Sequence, residues 1–166
     1  MAAPASLERR EPETVLGEPA RKQLSLNQRL RAWLPSVLWA ALIFAMSTDS
    51  MSEVHTRSWI EPVLRFIAPS LSPSGIQLAH EVIRKLAHLS EYFVFFLALE
   101  HGFRHGSAVR RATVPLRALA IAALYSLGDE GHQLFVASRG ASLADCALDT
   151  IGAMIAAAVE LVTRFP

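Results

Sequence analysis

A single cysteine, Cys146, stands in this chain of 166 residues, so an internal disulfide is excluded. Set inside an apolar segment, it reads as a small buried hydrophobe. An excess of charge is also missing: 16 Lys and Arg oppose 15 Asp and Glu, a formal net charge of +1. The basic residues are spread among connecting segments rather than gathered on one helix face, which excludes a nucleic-acid partner. The first 28 residues, rich in Arg, Glu and Pro, lack hydrophobic periodicity and read as a disordered, solvated tail. They also lack the early apolar core and small-residue cleavage site of a secretory signal, so the N-terminus is expected to stay where it is made. Internal repeats and low-complexity segments are absent.

What the chain has is grease. Hydrophobic residues make up 52% of it, with a mean hydropathy of +0.30, above the roughly 45–50% usual for soluble domains. The expected fold is all-α: an integral membrane bundle of four transmembrane helices, spanning residues 29–166 behind the cytoplasmic tail 1–28. The first span is Trp33 to Met46 with its flanks, about 17–18 residues and at the short end of bilayer-crossing length. Trp33 and Trp39 suit a headgroup-facing position, and Pro35 is placed in the first turn, where a missing N–H matters little. Trp59, Val63, Phe66 and Ile67 then recur on one helix face. They predict a short helix in the first outer loop, lying on the membrane surface or packed on the bundle. A break over Pro69 to Gly75 precedes the second span, which runs through Ile83, Leu86 and Tyr92 to about Gly102. His101 to Arg111 reads as a basic loop. The third span is Pro115 to Leu127, closed by Gly128, and the fourth runs from about Ala141 to Val162.

Lys and Arg give this arrangement an orientation. Six fall in the N-terminal tail, four between the second and third spans and one at the C-terminus, eleven against five on the other side. That bias places both termini in the cytoplasm and the protein in the inner, cytoplasmic membrane. It also brings four polar helix ends to the outer side: Ser47-Thr48, the group Arg84, Lys85, His88, Glu91 and Tyr92, the pair Asp129-Glu130, and Asp145. Ionisable residues are expensive at such depth, so their convergence argues for one site.

Lys85, His88 and Tyr92 share a helix face. In the fourth span Ser142, Asp145, Asp149, Gly152 and Ala156 follow one line, whose small-residue half lets a neighbouring helix approach closely. The expected binding residues are Lys85, His88, Tyr92, Asp129, Glu130, Gln133, Arg139, Ser142, Asp145 and Asp149. If the cluster is catalytic, His88 and Glu130 are the candidate general bases and Arg139 the phosphate holder; a structural ion-pair network or small ion-coupled carrier is the other alternative. Gln133 and Ser142 read as hydrogen-bond satisfiers, His80, His101 and His105 as solvated loop residues, and Glu100 and Glu160 as interface residues. Neither His88 nor His132 lies in a metalloprotease His-Glu-x-x-His, so no metal and no cofactor is expected. A Gly-x-Ser-x-Gly elbow is missing. Pro73-Ser74-Gly75 is followed by Ile76 where lipid-phosphate phosphatases need histidine. The chain is therefore read as leaning away from an enzyme.

At these residues the chain resembles the VanZ-like family. Lys85, His88 and Tyr92 match its Lys-x-x-His-x-x-x-Tyr motif. Asp129, Glu130, Gln133, Arg139, Ser142, Asp145, Asp149 and Gly152 match its second signature in order and spacing. Ser47 and Thr48 stand for the Ser-Ser that ends the family's first helix, with Thr48 a departure, and Ser138-Arg139 replaces the usual Gly-Arg. The match covers about residues 33–160. The resemblance implies a small multi-pass membrane protein; the family's namesake lowers susceptibility to the glycopeptide teicoplanin. The partners expected from the outer polar cluster are the lipid bilayer and a lipid headgroup, cell-wall precursor, glycopeptide-type amphiphile or ion.

Overall fold

A computed structural model describes residues 24–48, 53–136 and 142–164. Among the described residues every regular element is a helix, in the order α1 (Leu26–Met46), α2 (Glu53–Ile67), α3 (Pro73–Gly106), a 3-10 turn at Arg111–Thr113, α4 (Val114–Gln133) and α5 (Leu143–Arg164). Two of these, α1 and α5, are long and apolar enough by length and composition to cross a membrane.

α1 begins earlier than the sequence periodicity suggests. Ser25 and Gln28 close a capping box, each side chain meeting the other's backbone N–H. The helix thus opens at Leu26, inside the stretch read as tail. Pro35 therefore lies in the interior of α1 rather than in its first turn. Trp33 and Trp39 are packing residues. The Trp33 ring meets Phe103 edge-on at 4.9 Å, and Trp39 Nε1 donates to the Glu91 carbonyl at 2.8 Å. A Cβ on Gly102 would stand 2.6 Å from the Trp33 ring, so α3 accepts that indole only because glycine is there. Ser36 Oγ adds a bond to the Ala98 carbonyl at 2.7 Å, joining α1 to α3 along its length.

α2 carries Glu61 between Arg57 and Arg65 on its polar side. The Arg65 guanidinium holds the Glu61 carboxyl below the usual carboxylate range. Its apolar side is not packed on the other helices: Trp59, Val63, Phe66 and Ile67 are all exposed. The helix is attached to α3 instead through Thr56, whose Oγ1 lies 3.2 Å from His80 Nε2. His80 is consequently buried and helical, not a solvated loop residue.

α3 is the longest element, 34 residues from the Ser72 cap, and at 1.5 Å per residue it extends about 51 Å. It absorbs His101 and His105, whose exposed rings lie 4.7 Å apart. Tyr92, Phe95, Phe96 and Leu99 on α3 form the core with Ile43, Ala118, Ala122, Ala153 and Ala156. α3 and α5 approach closely at Gly152, where a Cβ would come within 2.3 Å of the Leu89 carbonyl oxygen. The small-residue line expected on the fourth span thus does let a neighbour approach.

α4 does not end at Gly128. It runs on to Gln133, because Ser126, Asp129, Glu130 and Gln133 continue the buried stripe begun by Ala118 and Ala122. Gly128 and Gly131 face open space and have ordinary helical backbone.

Candidate functional site

The end of α1, the middle of α3, the last turns of α4 and the first turns of α5 meet at one end of the molecule. At the centre is Asp149, wholly buried. Ser126 Oγ donates to its Oδ2 at 2.8 Å, and His88 Nδ1 lies 3.1 Å from its Oδ1. A carboxylate there makes Nδ1 the protonated ring nitrogen and fixes the ring, leaving Nε2 outside that bond.

Glu130 has a different part. Its Oε2 accepts the backbone N–H of Ser142 at 2.6 Å, and Ser142 Oγ accepts the N–H of Asp145 at 3.3 Å. The two together satisfy N–H groups at the start of α5, where a negative charge also suits the helix dipole. Gln133 Nε2 donates to Asp129 Oδ2 at 3.3 Å. Gln133 and Ser142 thus each complete a hydrogen bond within the cluster.

Two cavities open beside His88. One, of about 80 Å3, is lined by Ser47, Thr56, Arg84, His88, Asp129 and Gln133 among others. The other, of about 170 Å3, is lined by Glu81, Arg84, Lys85, His88 and Asp145. Arg84 and His88 border both. Lys85 is exposed at the rim of the second and forms no ion pair with a described residue.

Several buried polar atoms at this end complete no hydrogen bond of normal geometry: Ser47 Oγ, Tyr92 Oη, Asp129 Oδ1, Glu130 Oε1 and His132 Nδ1, although the Ser47 hydroxyl faces the Asp129 carboxyl and Tyr92 faces Ser126. Of these residues, Ser47 and Asp129 line the smaller cavity. The His132 ring meets Phe44 at a tilt of 44°, with centroids 4.8 Å apart. Among the described residues, no group of three or more His, Cys, Asp or Glu is disposed to hold a metal ion.

The structure therefore brings together His88, Tyr92, Asp129, Glu130, Gln133, Ser142, Asp145 and Asp149, with Lys85 at the edge. Arg139 lies outside the described residues. Ser126 was not among the residues expected here, although it continues the four-residue spacing of Ala118 and Ala122 toward Glu130. Cys146 is a buried free thiol.

A second polar group lies at the opposite end of α3 and α5. Glu100 and Glu160, expected at an interface, are buried and share Arg104 and Arg164. Arg104 Nε donates to Glu100 Oε1 at 2.7 Å. The signal for this network was available in two Glu-x-x-x-Arg pairs, each with helical i,i+4 spacing.

Among comparisons with known proteins, a family model described as VanZ/LLP1 matches residues 32–164. No curated protein and no solved structure matches the chain.

Proposed function

The chain belongs to the VanZ/LLP1 family, and we propose on that footing that it is a multi-pass protein of the cytoplasmic membrane. In this reading α1, α3, α4 and α5 cross the bilayer as a four-helix bundle, both termini lie in the cytoplasm, and α2 rests on the outer surface. Leu34, Leu38, Leu86, Leu97, Leu116, Leu124 and Leu161 are exposed on the outward faces of those helices, as contact with lipid requires. The polar residues of α3 and α4 lower their average hydropathy, but His88, Asp129, Glu130 and Gln133 turn inward, where lipid does not meet them.

The cluster around His88 and Asp149 is the binding site of this protein. Its ligand is the polar headgroup of a lipid, a cell-wall precursor or a glycopeptide-type amphiphile. One observation carries this: Asp129 Oδ1 is buried and completes no hydrogen bond of normal geometry, although the Ser47 hydroxyl faces its carboxyl, and both residues line the same small cavity. A buried carboxylate oxygen short of a donor in a poorly hydrated place favours a group that brings one. About 80 Å3 is well below the roughly 300–1,000 Å3 of drug-sized pockets, so only a headgroup's amino or hydroxyl part enters.

Thermal unfolding of the purified protein with phospholipids, lipid-linked precursors and glycopeptides tests this. A true ligand at a hundredfold over its Kd adds about 2.7 kcal/mol, and Asp129→Asn abolishes that gain. A cluster that only holds helices together gives no ligand-dependent shift.

The fixed His88–Asp149 pair favours one second reading, a membrane enzyme acting on a lipid-linked phosphate. There His88 is the general base, and Arg84, which borders both cavities, faces the phosphate. Glu130 is the weaker candidate base, since it caps α5. In that case His88→Gln, whose amide can still donate to Asp149, loses turnover of such a substrate while remaining folded.

A further inference from the structure

The opposite end of the bundle holds a cavity of its own. It measures about 250 Å3 and lies between α3, α4 and α5, lined by Arg104, Pro115, Ala157, Ala158, Glu160, Leu161 and Arg164. Most of its wall is aliphatic. Its polar contribution comes from the network of two acids and two arginines, and that network is incomplete. Glu160 is 9% exposed, and its Oε1 takes both arginines while its Oε2 has no hydrogen-bond partner. Arg164, by contrast, leaves 45% of its side chain open.

A buried carboxylate oxygen without a donor beside a half-open guanidinium is a bipolar arrangement. It calls for a ligand with an N–H donor and an anionic oxygen a few atoms apart, on an apolar stem. We propose that this cavity seats the headgroup of a phospholipid carrying a primary amine, its ammonium donating to Glu160 Oε2 and its phosphate facing Arg164. Pro115, Ala157, Ala158 and Leu161 cover the glycerol and the first acyl carbons. The cavity is too small for a whole amphiphile, so the tails lie along the exposed Leu116 and Leu161. The inference requires the chain to sit in a bilayer, but it is independent of what binds near His88, since the two sites occupy opposite ends of α3 and α5.

Native mass spectrometry of the full chain, released from neutral detergent with phosphatidylethanolamine, phosphatidylcholine, phosphatidylglycerol or soluble phosphoethanolamine, tests this. Phosphatidylethanolamine is expected to be retained with about tenfold tighter binding than phosphatidylcholine, whose methylated nitrogen has no N–H for Glu160. Glu160→Gln erases that preference. Ala158→Leu fills the cavity without touching an ion pair and lowers binding of phosphatidylethanolamine alone, which keeps the test decisive if Glu160→Gln fails to fold. Equal retention of phosphatidylcholine or phosphatidylglycerol overturns the proposal. So does equal binding of phosphoethanolamine, which would make the ligand a soluble zwitterion. Loss of His88-site binding in Asp129→Asn leaves these results unchanged, so the two sites fail separately.

Discussion

Asp149 is the residue on which the cluster near α5 turns, because it accepts from both His88 and Ser126 with no exposure to solvent. Asp149→Ala leaves His88 and Ser126 without their acceptor, and a buried polar group left unsatisfied in this way costs about 1–3 kcal/mol. Lys85→Ala removes an exposed, unpaired side chain, and its effect is expected within about 0.5 kcal/mol. Thermal unfolding of the two variants side by side checks the contrast. An equal loss in both would return Lys85 to an ion-pair network that the side-chain distances do not contain. Asp145, Asp149 and His88 were legible in the sequence because their spacing put them on helix faces with small or aromatic residues. Ser126 was not, since one hydroxyl in an alanine-rich helix is indistinguishable from a side chain bonded to its own helix until the neighbouring acid is in place.

At the scale of the element, helix identity was readable and helix ends were not. The four apolar runs all survive as long helices in the fold, but the start of α1 is set by the Ser25–Gln28 cap, which carries no hydrophobic signal. The end of α4 is set by buried polar residues that look like a terminator when read in line. Glycine misled at Gly128 and informed at Gly152, and the difference is whether a neighbour fills the space. Gly102→Leu tests the same logic at the α1–α3 contact. A side chain there meets the Trp33 ring, and the displaced indole loses its packing on Phe103. Overpacking of this type costs about 1–3 kcal/mol, read as a lower unfolding temperature, and Trp33→Ala in the same chain recovers part of it.

For the whole molecule the expectation concerns sides. In a Cys146→Ser background, a cysteine at Ser70 and one at Arg110 should be modified by a membrane-impermeant thiol reagent from opposite faces of the membrane. In intact cells only Ser70→Cys reacts, and labelling at Arg110→Cys without lysis overturns the orientation drawn from charge. That charge count treated Arg104 and Arg164 as free loop cations, whereas both are engaged by buried acids. Both lie inside helices, Arg104 in α3 and Arg164 in α5, rather than in the loop and terminus expected, and their pairing across the two helices depends on a packing angle that no local pattern encodes.

The contact between Leu89 and position 152 also sets a limit on drift. In a randomised library selected only for accumulation in the membrane, the exposed neighbours Ile151 and Met154 should exchange freely among aliphatic alternatives. Position 152, its missing side chain already replaced by another helix's oxygen, should return one letter in every surviving clone.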